Sequence, residues 1–298
     1  MPVQLDSLRK QNTIGQETTV SGFGYWNNKD VSVTFHPAES GAGITFVRTD
    51  LESPVRIQAD VQHRIESPRR TVLSHAGTSI EMVEHVMSAL YGLQIDNCEV
   101  HCDAAEMPGC DGSSLPFVEA IVEAGIVEQD ALKPRLIVTD NLRINDDEDG
   151  WIEARPLGKK DDEGMNLQYR LDYGINHILG RQTLRCLLKP DFYREEIAPA
   201  RTYLLKEEAE WMRKQGLGLR TTYKDLLVFA DPEGVIDNEL RFEDECVRHK
   251  VLDMVGDFAL SPFELVGNFV AYRSGHRLNA QLLKALLLEG EIIDGAMA

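Results

Sequence analysis

The stretch LRFEDECVRHKVLDMVGD, residues 240–257, constrains the fold more than any other. Val247, Val251, Leu252, Val255 and Phe258 recur at helical spacing, which predicts an amphipathic helix packed along one stripe. His249, Asp253 and Asp257 stand four apart, each offset by only about 40° from the last around the helix surface. Lys250 lies beside them. A helix that lines up a histidine and two carboxylates either turns that stripe to water as a surface ion-pair row, or gives it partners inside.

The rest of the chain reads as mixed strands and helices. Residues 18–49 alternate as strands in TTVSGFGY, VSVTFHP and GITFVRTD, with turn chemistry at WNNKD. A further strand-rich patch surrounds SPRRTVLS. Helical spacing follows over residues 79–93 in SIEMVEHVMSALYGL, then a strand in IDNCEVHCD and a helix in LPFVEAIVEAGI. The mixed-charge segment VEQDALKPR, with Pro134, is the expected boundary between residues 1–130 and 131–298. After it the order partly recurs: strands in RLIVTDNLRI, GWIEARPL and NLQYRLDYGI, a helix in KEEAEWMRKQG and the helix of 240–257. A strand region in FELVGNFVAYRSG and a closing helix in RLNAQLLKALLLE follow. The fold class expected is α+β, in two similarly built halves.

The chain has 298 residues, 43% hydrophobic and 27% charged, as in soluble globular proteins. No apolar run approaches the roughly 20 residues of a membrane span. MPVQLDSLRKQ has no apolar core of a leader peptide, so a cytoplasmic location is expected. The net charge of −18 opposes a phosphate-backbone partner, so nucleic acid is not expected. It does not oppose a small anionic substrate, because a local site can be basic on an acidic protein. Cys98, Cys102, Cys110, Cys186 and Cys246 include no CxxC pair and read as reduced thiols.

Histidine and carboxylate commonly bind zinc, and His249 with Asp253 at i, i+4 can reach one ion. A third ligand has to come from elsewhere, and Glu84–His85 in the first helix offers one. The HExxH signature is absent, and a hydrogen-bonded histidine is the ordinary reading of each residue alone. On residue types and spacing, a metal is one reading among several.

The ordered set VEHV, GLQIDNCEV, AAEMPGCDGSSLPF, PARTYLL, LRFEDECVRHKVLDMVGD and SGHRLN resembles the UDP-3-O-acyl-N-acetylglucosamine deacetylase family of lipid A biosynthesis, over nearly the whole chain. The resemblance implies two domains, each a sheet packed with two helices in a β-α-α-β sandwich, with the active site between them. It implies zinc on His85, His249 and Asp253, although ferrous ion suits the same donors. It implies Glu84 as general base, His276, held by Asp257, as general acid or as stabiliser of the developing charge, Thr202 as oxyanion donor and Lys250 as a contact to the anionic substrate. Asp172 and Tyr173 would meet the uridine, or simply pack at a strand end. Tyr203 would line the sugar site. The implied partner is a UDP-linked acylated amino sugar, with transient membrane-surface contact compatible with its acyl chain; oligomeric state is not fixed.

Three positions depart from the family pattern. Trp26 replaces a histidine in GFGYW, which loses or replaces a substrate contact. Met82 replaces a threonine, with altered packing behind the metal expected. Arg220 and Thr221 stand where small residues usually leave room for an acyl chain. Arg220 either fills that passage, favouring a substrate with a short acyl chain or none, or points outward. Two rivals to the family reaction are therefore a paralogous deacetylase of a related amino sugar and a metal-stabilised binding protein without turnover. The intact Glu84, Asp257 and His276 argue against the second. A fused dehydratase is not expected, since the chain ends soon after its last matching helix.

Overall fold

The computed structural model describes residues 8–294, so residues 1–7, the first part of the segment read for a leader, lie outside it. The chain is α+β. Its first half builds a five-stranded sheet in the order Thr18–Phe23, Asp30–Pro37, Cys98–Cys102, Ile44–Arg48, Val55–Gln58. Alternation sets its faces: Val31, Val33 and Phe35 are buried while their neighbours are not. Phe117 of the helix Leu115–Ala124 meets Phe35 edge-on, with ring centroids 6.3 Å apart.

The second half is organised on the nine-residue strand Glu264–Tyr272. That strand pairs in parallel with Arg135–Ile137 and Met165–Asp172, and antiparallel with Trp151–Arg155. Leu142–Asn145, Arg181–Leu187 and Glu291–Ile293 complete a seven-stranded sheet. The helix Glu245–Phe258 packs on it through Phe258 against Phe269, with ring centroids 5.3 Å apart. The helix His276–Glu289 packs beside that one. A separate three-stranded sheet, Tyr203–Leu205, Leu227–Ala230 and Gly234–Val235, carries the helix Lys206–Lys214.

Three elements differ from the sequence reading. Residues 79–93 are not one helix: Thr78–Glu81 pairs with Val72–His75 around a turn at Ala76–Gly77, and the helix begins at Glu84. Ile80 fits both periods, so spacing alone did not separate them. The expected linker is largely the strand Ile126–Leu132, which returns to pair with Lys10–Ile14. Its side chains are mostly exposed, which removes the apolar alternation that marks a strand. The helix of 240–257 begins only at Glu245. No helix among the described residues is long and apolar enough to cross a membrane.

The two halves meet where Glu84–Gly92 crosses Glu245–Phe258. Both helices are almost wholly buried. Gly256 lets the backbones touch: a Cβ there would lie 2.1 Å from the Glu84 carbonyl oxygen. The Ser88 hydroxyl donates to the Leu252 carbonyl at 2.9 Å across the same contact. Gly256→Ala must push the helices apart, and overpacking of this kind costs about 1–3 kcal/mol. A lower denaturation midpoint with an unchanged slope is the expected result, read by chemical unfolding.

Candidate active site

The crossing sets the first helix's opening residues against the middle of the second. Met82 turns the chain into the helix with φ +59°, a left-handed conformation that a residue with a side chain seldom adopts. Glu84 and His85 follow directly. The Thr71 amide donates to Glu84 Oε2 at 2.9 Å and fixes the carboxylate.

His85, His249 and Asp253 each present one ligand atom, and these lie within 4.8 Å of one another. His85 Nε2 is 3.9 Å and His249 Nε2 is 3.3 Å from Asp253 Oδ1. The two imidazole rings stand at 89°. His249 Nδ1 lies 3.0 Å from the Ala200 carbonyl, an acceptor, so Nδ1 carries the proton and Nε2 keeps its lone pair toward the site. His85 Nδ1 is buried without a hydrogen-bond partner among the described residues. Burial, with His249 next to it, pushes the His85 pKa down to about 3. Burial also lowers that of His249. Burial alone would raise Asp253, but Lys250 and then the histidines hold it below the ordinary carboxylate range. Two neutral imidazoles and an ionised carboxylate, converging with an orphaned buried nitrogen, fit a divalent ion.

A second group of residues stands beside this one. Burial raises the Glu84 carboxyl to about 7. His276 opens its helix, and its Nδ1 donates to Asp257 Oδ2 at 2.9 Å. Burial would depress the His276 pKa, but the Asp257 carboxylate more than offsets this and the pKa stands at about 9. Asp257 is itself held by the Thr71 hydroxyl at 2.5 Å and the Asn279 amide at 2.8 Å. The site thus has one carboxyl kept easy to protonate and one imidazole kept charged, the division that acid–base chemistry requires.

Both groups open on a cavity of about 750 Å³. Thr202, Tyr203, Tyr173 and Lys250 line it. Lys250 is not free to face only a substrate, because its ammonium donates to Asp253 Oδ2 at 2.7 Å. Tyr203 packs edge-on against Phe229, and its buried hydroxyl has no partner among the described residues. The cavity wall also includes the apolar side chains of Met82, Met212, Leu217, Leu226 and Val228.

Two expected site residues stand elsewhere. Asp172 is absent from the cavity wall; its carboxylate accepts from Gly174, Arg181 and Tyr272, which uses it to hold the turn carrying Tyr173. Arg220 also lies outside the wall. Its guanidinium pairs with Asp30 at 2.8 Å and covers the Phe23 ring at 4.5 Å. Thr221 is the one that turns inward, its hydroxyl donating to Gly218. Met82 lines the cavity itself. Trp26 lines it too, beneath the Arg70 guanidinium at 4.1 Å.

Thr71 was missed at the sequence level. Its amide holds Glu84 and its hydroxyl holds Asp257, so one residue ties both groups together. Within SPRRTVLS nothing distinguishes it from a strand threonine. Asn279, in SGHRLN, carried a signal in its place one turn after His276.

The model of the family described as LpxC, UDP-3-O-acyl N-acetylglycosamine deacetylase, matches residues 11–288. Proteins named UDP-3-O-acyl-N-acetylglucosamine deacetylase are similar over most of their length. That of Mannheimia succiniciproducens is 36% identical over 286 residues, covering 95% of this chain and 91% of its own. That of Actinobacillus succinogenes is 36% identical with the same coverage. That of Haemophilus influenzae is 35% identical over 289 residues, again covering 95% and 91%. The chain belongs to the UDP-3-O-acyl N-acetylglycosamine deacetylase family.

Proposed function

We propose that this chain is a zinc-dependent amidohydrolase. It removes the N-acetyl group of UDP-3-O-(3-hydroxyacyl)-N-acetylglucosamine and releases acetate, in the cytoplasmic part of lipid A biosynthesis. The observation that carries the reading is the convergence of His85, His249 and Asp253 on a cavity where Glu84 and an Asp257-held His276 already stand. Family membership supports the same substrate. Residues 1–130 and 131–298 are read as two domains with the site between them. The separate five- and seven-stranded sheets support that division.

Zinc on His85, His249 and Asp253 would polarise the amide carbonyl and make water a nucleophile at neutral pH; ferrous ion would serve similarly. Glu84 takes the proton of the attacking water. Thr71 occupies Oε2, which leaves Oε1 for this work. Thr202, in the cavity wall, donates to the developing oxyanion. His276 gives its Nε2 proton to the leaving amine while Asp257 keeps Nδ1. Lys250 has three donors and commits one to Asp253, so others remain for an anionic group of the substrate. Tyr203 and Tyr173 flank the sugar and uridine side. The apolar side chains of the wall, Met212, Leu217, Leu226 and Val228 among them, take the acyl chain.

The direct test is acetate release. Purified protein should hydrolyse the 3-O-acylated nucleotide sugar far faster than UDP-N-acetylglucosamine. Each buried methylene contributes about 0.8 kcal/mol, so even a few separate the two substrates by more than tenfold. Because Arg220 points outward, Arg220→Gly should leave that ratio unchanged. Release from neither substrate would overturn the reading. A preference for the unacylated sugar would favour the paralogue instead.

Metal and base separate in a second comparison. His249→Ala should lose the bound ion by elemental analysis. Glu84→Ala should retain it and lose at least about a hundredfold in kcat. Equal ion content in wild type and His249→Ala would remove the ligand assignment.

The acid has its own signature in the pH profile. His276 acts while protonated, so activity should fall as pH rises through about 9. Asp257→Asn keeps a hydrogen-bond acceptor but removes the charge that holds this pKa up. The alkaline limb should then move down toward neutrality. A limb that stays in place would mean that another group supplies the proton.

A further inference from the structure

The helix Lys206–Lys214 and the loop that follows it present two unlike sides. Ala209, Met212, Leu217, Gly218 and Thr221 turn into the cavity wall. Trp211, 56% exposed, and Leu219, 59% exposed, stand outside that wall, while Tyr223, 38% exposed, both lines it and reaches solvent. Isolated exposed apolar residues need no explanation, but three within thirteen residues, one a tryptophan, form a concentration.

Charge marks the same stretch. Residues 213–224, RKQGLGLRTTYK, contain four bases and no acid, in a chain whose net charge is −18. Arg220 is neutralised by Asp30. Arg213, Lys214 and Lys224 are exposed and form no ion pair among the described residues; Arg213 also lines the cavity and donates to the Thr221 carbonyl at 2.7 Å, whereas Lys214 and Lys224 stand outside the wall. Trp211 and Lys214 are three apart on the helix and therefore neighbours on its surface. Glu207 and Glu210 are exposed on the same helix, Glu210 four residues before Lys214, and neither forms an ion pair with these bases among the described residues.

We propose that the segment from Trp211 to Lys224 is a docking surface for an anionic lipid bilayer. A tryptophan beside lysines suits the headgroup layer, where the ring sits among the glycerol groups and the ammonium groups meet lipid phosphates. Charges more than about 10 Å away are largely screened at physiological salt, so the acidic bulk of the protein does not cancel a basic loop in contact with the surface. Docking through this side brings the cavity wall built by the same residues up to the lipid. A molecule with an acyl chain then passes between bilayer and cavity without exposing the chain to water. This goes beyond the reaction proposed above, and its test does not depend on turnover.

The full-length protein is sedimented with vesicles of phosphatidylcholine alone and of phosphatidylcholine with phosphatidylglycerol. It should bind the mixed vesicles, with affinity falling as salt rises, and bind pure phosphatidylcholine weakly. Lys214→Glu with Lys224→Glu, and separately Trp211→Ser with Leu219→Ser, should each weaken binding at least about tenfold. None of these four residues lines the cavity or lies in the core, so folding should persist, as circular dichroism would verify. No binding to the mixed vesicles, or binding that both variants retain, would overturn the proposal. Self-association lost in both variants, without vesicle binding, would assign the surface to a second copy of the chain and overturn it equally.

Discussion

The site depends on one close contact. At Gly256 the backbone of the second-half helix lies against the carbonyl of Glu84, nearer than any side chain would allow. His85 therefore comes within ligand distance of His249 and Asp253, although 164 residues separate His85 from His249 in sequence. Neither half supplies three donors alone. The crossing also buries both helices, and burial does the electrical work. It keeps the histidines neutral, as metal ligands must be, and makes the Glu84 carboxyl easier to protonate. Packing and pKa thus share one cause.

Burial acts on His276 in the same direction, yet the outcome is opposite. A desolvated imidazole loses its proton unless a carboxylate is at hand. Asp257 is that carboxylate, and it is fully buried itself. Two hydrogen bonds from Thr71 and Asn279 satisfy its remaining lone pairs. A buried ionised group without such support would be costly. The charged histidine therefore rests on a small polar network, and Thr71 extends that network to Glu84.

Much of this was legible in the sequence. Spacing named the stripe of His249, Asp253 and Asp257 and left it either facing water or partnered inside; all three are buried. The strands Asp30–Pro37 and Cys98–Cys102 announced themselves by alternation. What escaped notice lacked a local signal. Ile126–Leu132 is mostly exposed and carries no apolar period. Thr71 acts through one amide and one hydroxyl whose targets lie 13 and 186 residues away. The family resemblance offered Asp172 as a uridine contact or as a packed strand end; its carboxylate is taken up by Gly174, Arg181 and Tyr272.

Arg220 marks the sharpest limit of such reading. At neighbouring positions the chain turns Gly218 in, Leu219 and Arg220 out, and Thr221 in. Gly216 and Gly218 have φ of +81° and +63°, values that release the loop from any helical or strand period. Without a period, the side on which a residue falls cannot be counted from its neighbours. Outside the wall the guanidinium finds both Asp30 and the face of Phe23. Electrostatics thus decides an orientation that spacing leaves open.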